Sequence, residues 1–103
     1  MTSIWGPSFW KSLHYITIAY PENPNINDRK NYFDFIKSLD YVLPCQRCQY
    51  HFSIYRKNND LLDHNSIHLD NRSSLIYWFF NFHNSVNERL SKPIYSWENF
   101  NKE

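Results

Sequence analysis

Four stretches of this chain repeat apolar side chains three or four residues apart, and none alternates as a strand does. From Pro7 to Tyr20, Phe9, Leu13, Ile16 and Tyr20 make one stripe, with Trp10, His14 and Thr17 beside it. Pro7 suits the first turn of that helix, where its missing N–H is not needed. Pro21 to Asn27 reads as a linker turn. A second helix is expected from Asp28 to Leu43, capped by Asn27, with Tyr32, Phe35, Ile36, Leu39 and Leu43 facing inward. Pro44 ends it. The third helix starts at Pro44 or Cys45 and reaches Lys57, with Cys45, Cys48, Phe52 and Tyr55 on one side. Its Arg56-Lys57 end reads as solvated, and Asn58 to Asp70 as a polar loop with solvated His64 and His68.

The fourth helix runs from Asn71 to Leu90. Leu75, Phe79, Phe82 and Val86 form its core stripe, and Phe80, His83, Asn84 and Asn87 turn to a neighbouring face. Trp78 reads as a core aromatic, and Lys92-Pro93 stops the helix. Ser96 is placed to cap a short last turn carrying Trp97. The expected fold is all-α: a four-helix bundle plus a short fifth helix, in one domain spanning residues 1–103.

Composition narrows the chemistry. The 19% aromatic content supports a dense core and stacking against a planar ring. Gly6 is the single glycine, which excludes glycine-rich phosphate loops of either common kind. Net charge is +1 with scattered basic residues, so no nucleic-acid footprint is expected. No apolar run reaches the length of a membrane span, and no secretion signal opens the chain. The expectation is a soluble protein of a reducing compartment.

Two cysteines stand as Cys45-Gln46-Arg47-Cys48 after Pro44. Two are too few for a disulfide framework. At the start of a helix, unpaired N–H groups and the positive dipole end favour a thiolate, and Arg47 adds positive charge. Such a pair is a redox dithiol or half of a zinc site completed by His51 and one of His64, His68 or His83. On these residues alone the two readings weigh about evenly. A thioredoxin-type reading is weaker, since a helix rather than a strand precedes the pair.

Three stretches go further. Trp5-Gly6-Pro7-Ser8-Phe9-Trp10-Lys11-Ser12-Leu13-His14, followed by Tyr20-Pro21, resembles the opening helix of Erv/ALR sulfhydryl oxidases. Leu43-Pro44-Cys45-Gln46-Arg47-Cys48-Gln49-Tyr50-His51-Phe52 resembles that family's active-site segment. Trp78, then His83-Asn84-Ser85-Val86-Asn87-Glu88-Arg89-Leu90-Ser91-Lys92-Pro93, resembles its H-N-x-V-N-x-x-L-x-K-P signature. The resemblance covers Trp5 to Trp97 and is closest to short viral members such as that of African swine fever virus.

The resemblance implies a helical bundle holding FAD, with Cys45 and Cys48 catalytic and no metal. It implies a cofactor site lined by Trp5, Gly6, Trp10, His14, His51, His83, Asn84, Val86, Asn87, Lys92 and Trp97. It also implies a thiol-bearing protein substrate or separate dithiol carrier, O₂ as acceptor, a homodimer, and residence in host cytoplasm or virion. The cellular members' distal shuttle cysteine pair has no counterpart among these residues.

Overall fold

The computed structural model describes residues 2–98. It contains α1 (Thr2–Ile18), α2 (Ile26–Val42), α3 (Gln46–Asn58), a single 3₁₀ turn (Ile67–Leu69) and α4 (Arg72–Arg89). α2 packs on α3, α1 packs on α4, and the 3₁₀ turn packs on α4. No strand occurs among the described residues, as the apolar spacing implied. Helical geometry resumes at Trp97 and Glu98, and the rest of the expected fifth helix lies outside the described residues. No described helix is long and apolar enough to cross a membrane.

Two helix starts differ from expectation. α1 begins at Thr2, so Pro7 lies inside it rather than in its first turn. Proline there forgoes one helical hydrogen bond. Trp5 and Phe9, four residues apart with rings 5.8 Å apart, pack across the proline and hold the helix together. α2 begins at Ile26, and its cap is Asn25, not Asn27. Asn25 accepts from the Asp28 N–H at 2.8 Å, and Asp28 accepts from the Asn25 N–H at 2.9 Å. This reciprocal box needs an acceptor three residues after the cap. Asp28 meets that need for Asn25, whereas Asn27 would face Lys30.

The core joins Leu13 and Tyr20 with Phe33, Ile36 and Leu39 of α2, Phe52 of α3, and Leu75, Trp78, Phe79 and Phe82 of α4. Phe52 ties α3 to α4, its ring 5.0 Å from that of Phe82. Trp78 is a core residue, and its indole N–H donates to the Asn59 carbonyl at 3.0 Å.

Arg56 is not a solvated helix end: it is 3% exposed. Its guanidinium meets the Asp40 carboxylate of α2 at 2.8 and 3.3 Å and donates to the Leu61 carbonyl at 2.9 Å. The segment between α3 and α4 is likewise more than a polar loop. Leu61 and Leu69 are fully buried, and His64 and His68 are half-buried. Arg29 of α2 donates to the His64, Ser66 and Leu69 carbonyls at 2.8, 2.9 and 3.1 Å, and Tyr20 Oη donates to the same Leu69 carbonyl at 2.6 Å. A long connection thus becomes a fixed strap under α2.

Candidate active site

Pro44 breaks the chain between α2 and α3, and Cys45 follows as the N-cap of α3 in extended geometry. Its sulfur accepts from the Cys48 N–H at 3.2 Å. The Leu43 carbonyl accepts from both the Cys45 N–H at 2.7 Å and the Gln49 side-chain amide at 2.7 Å, which pins the turn. A thiol used as an N-cap collects orphan N–H groups that favour its ionised form.

The two thiols are therefore unequal. The Cys45 thiol is pulled below its usual range, first by the hydrogen bond with the Cys48 side chain, then by the Cys48 and Arg47 N–H groups and the Arg47 charge. Burial pushes Cys48 up to about 11, and its bond to Cys45 and the Cys45 charge push the same way. Arg89 of α4 opposes that rise. Cys48 packs against the core. Cys45 is the acidic outer thiol and Cys48 the inner one.

His51 lies one turn beyond Cys48, half-buried. Burial, then Arg89 and Arg47, hold its imidazole below the usual range. Among the described residues no three His, Cys, Asp or Glu side chains gather as a metal-binding group. Cys45, Cys48 and His51 do not form such a group, and the zinc alternative is not supported.

The second half of the site lies between α1 and α4. The Trp10 and His83 rings stack in parallel, 3.7 Å apart and tilted by 6°. Trp10, Leu13, His14, Thr17, Phe79 and His83 line a narrow cleft there. Burial, then Lys92 and His14, hold His83 down at about 4, so its imidazole is neutral at pH 7. A broader depression between Asp60 and Ile67 carries none of the predicted residues.

α4 ends where the signature predicts. Ser91 takes a left-handed φ of 57°, the Ser91 N–H donates to the Glu88 carbonyl at 3.1 Å, and the Lys92 N–H donates to the Asn87 carbonyl at 2.7 Å. This is a Schellman closure with serine where glycine is usual. It fixes Lys92 at the end of α4, beside buried Asn87.

The predicted residues do not all converge. Trp10, His14 and His83 meet between α1 and α4; Cys45 and Cys48 meet at the start of α3; Arg89 of α4 acts on both Cys48 and His51. Asn84 turns instead to the segment after α4, where its amide donates to the Tyr95 carbonyl at 2.9 Å and accepts from the Tyr95 N–H at 2.8 Å. That clamp holds the Tyr95 ring 5.2 Å from His83. Trp97 packs on Tyr77 and Phe80, not on Trp10. Arg89 and Tyr95 escaped the sequence reading, because only packing brings them to Cys48 and His83.

The residues present fit a planar, acceptor-rich ligand such as FAD. The buried Trp5 indole N–H has no acceptor among the described residues. A Cβ built on Gly6 meets nothing within 4 Å, so described packing does not require glycine there. Neutral His83 and the indole of Trp10 supply flat apolar faces.

The chain is similar to known proteins along most of its length. Residues 7–103 match the Erv1 / Alr family model. The chain is 36% identical over 96 residues to an FAD-linked sulfhydryl oxidase of African swine fever virus (isolate Pig/Kenya/KEN-50/1950), covering 93% of this chain and 76% of that protein. It is 39% identical over 90 residues to a putative FAD-linked sulfhydryl oxidase of Invertebrate iridescent virus 3, covering 87% of this chain and 58% of that one. The crystal structure of the FAD binding domain of Erv1 from Saccharomyces cerevisiae superposes with a TM-score of 0.82 at 27% identity, covering 94% of this chain and 87% of that one.

Proposed function

The chain belongs to the Erv1/Alr family, and we propose that it is an FAD-dependent thiol oxidase that makes disulfide bonds in partner proteins. The observation that carries this reading is the asymmetric dithiol at the start of α3, its inner thiol facing the core that α4 shares.

In the oxidised enzyme Cys45 and Cys48 form a disulfide. A substrate thiolate attacks Cys45 Sγ, the outer sulfur, and Cys48 leaves as a thiolate. The substrate's second thiolate then attacks its own sulfur in the mixed disulfide and displaces Cys45. One S–S bond has formed in the substrate, and two electrons now sit on the enzyme dithiol. The helix N-terminus and Arg47 stabilise Cys45 as leaving thiolate, and Arg89 favours negative charge on Cys48. FAD, held by this site, would supply the two-electron acceptor for that dithiol, with O₂ as the final acceptor and, with two protons, H₂O₂ as the product.

In this reading Trp10, His14, His83 and Asn87 line the cofactor with Trp5, Gly6 and Val86. Lys92 answers its phosphate charge, and His51 stands between the dithiol and the cofactor. Asn84 and Trp97 contribute through the segment they fasten to α4. These roles, one domain across residues 1–103, a homodimer, a dithiol carrier as partner, and residence in host cytoplasm or virion belong to the same proposal. A visible spectrum of the purified chain, with oxygen uptake on dithiothreitol, tests it. Flavin absorbance at about one FAD per chain and uptake abolished by Cys45→Ser and by Cys48→Ser are expected. A colourless protein that cannot be reconstituted with FAD refutes the reading.

A further inference from the structure

The surface around Cys45 has two features that the electron-transfer chemistry does not use. The first is apolar exposure. Tyr41 and Val42, in the last turn of α2, are 74% and 63% exposed, and Tyr50, in the second turn of α3, is 63% exposed. Single exposed apolar residues are ordinary. Here three fall within five positions of the reactive thiol along the chain, with exposed Pro44 between them.

The second is charge. Residues 41–59 contain no Asp or Glu. Arg47 is exposed between the two cysteines, at the positive end of α3. Arg89 brings a second guanidinium from α4 close enough to act on Cys48 and His51. Asp40, the nearest carboxylate preceding Cys45, is buried and bound by Arg56. Glu88 precedes Arg89 on α4 but does not figure among the groups acting on either cysteine. The outer thiol is therefore flanked along the chain by an exposed arginine and by exposed aromatic and aliphatic side chains, with no carboxylate from residue 41 to residue 59.

We propose that this surface docks an acidic dithiol segment of the partner polypeptide, with Asp or Glu beside the reacting cysteine and an apolar side chain a few residues away. The inference rests on the thiol-oxidase reading and deepens it by naming the chemistry of the partner. Arg47 takes the carboxylate, and Tyr41 and Tyr50 border the apolar contact. The redox step is the exchange already written: the docked thiolate becomes bonded to Cys45 Sγ while Cys48 Sγ departs. Docking changes which thiol arrives, not the electron balance.

The test uses the FAD-loaded enzyme and three synthetic peptides that share one Cys-x-x-Cys core and carry acidic, neutral or basic flanks. Oxygen uptake gives kcat/KM for each. At low salt the acidic peptide should exceed the basic one by about fivefold, since a solvent-exposed ion pair is worth at most about that factor. Raising the salt should shrink the gap by screening. Arg47→Glu should invert the acidic-to-basic ratio, a comparison in which any change in Cys45 reactivity cancels. Tyr41→Ser and Tyr50→Ser should raise KM for the acidic peptide about threefold, a typical loss for a contact outside a hot spot. Both should leave dithiothreitol kinetics unchanged. Equal kcat/KM for all three peptides, with normal dithiothreitol oxidation, overturns the docking proposal alone. No oxidation of any thiol overturns the oxidase reading beneath it. A fall in sedimentation mass for Tyr41→Ser or Tyr50→Ser, without a change in KM, also overturns it by making this face a contact between two copies.

Discussion

Cys45 and Cys48 are separated by two residues and by a large difference in acidity, and the difference comes from position alone. Cys45 caps α3 and collects its N–H groups; Cys48 turns inward and loses water. In the reduced protein, iodoacetamide at pH 8 should therefore modify Cys45 at least about tenfold faster than Cys48, one pKa unit being a factor of ten in thiolate near these values. Cys48 should react appreciably only as pH climbs toward about 11. In Cys45→Ser the Cys48 profile should move to lower pH, because the Cys45 bond and charge both raise it, while burial should keep it above an ordinary thiol. Mass-spectrometric alkylation rates across pH check both statements. A Cys48 profile unmoved by Cys45→Ser would show that the two thiols do not communicate. The pair itself was legible in the sequence because Pro44 and the C-x-x-C spacing are local. Arg89 was not legible: its influence on Cys48 depends on how α4 packs beside α3.

Local signals also sort the helices into what could and could not be read. Apolar spacing placed all four, and Leu75, Phe79 and Phe82 lie in the core as their period requires. The starts of α1 and α2 escaped, since proline and asparagine each admit several positions at a helix terminus. Asn25 and Asn27 give a direct discrimination at α2. Asn25→Ala should cost about 1 kcal/mol, the ordinary worth of an N-cap, and Asn27→Ala only a few tenths, as for a surface change away from any cap. The opposite order in denaturant unfolding would return the cap to Asn27. Arg56 escaped for a different reason. At the end of a helix beside Lys57 it looks solvated, and its partner Asp40 sits sixteen residues earlier on another helix. Asp40→Ala should destabilise the fold by about 3–5 kcal/mol, because the Arg56 guanidinium would remain buried with half its partners gone. Denaturant midpoints measure the loss, and a change below about 1 kcal/mol would mean that the pair is not the tie between α2 and α3 that its geometry implies.

For the molecule as a whole, the packing has a dense half and an open half. Phe52, Trp78, Phe79 and Phe82 interlock rings from α3 and α4. The first half of α1 is joined less completely. Trp5 buries an indole N–H without an acceptor among the described residues, and Trp10 meets α4 chiefly by lying flat on His83. A planar cofactor held by these residues binds the folded chain and not the unfolded one, so it must stabilise the fold by mass action. At a free FAD concentration about a hundredfold above its dissociation constant, the gain is about 2.7 kcal/mol. For a domain of this size that corresponds to a rise in Tm of roughly 10–20 °C. Added protection from hydrogen exchange should fall on α1 and the second half of α4, and little of it on α2, whose capping box and Asp40–Arg56 pair already hold it. Differential scanning calorimetry on flavin-free and reconstituted protein, paired with hydrogen exchange, measures both quantities. A Tm that does not respond to FAD would show that the folded chain does not bind it, and protection confined to α2 would place the cofactor away from Trp10 and His83.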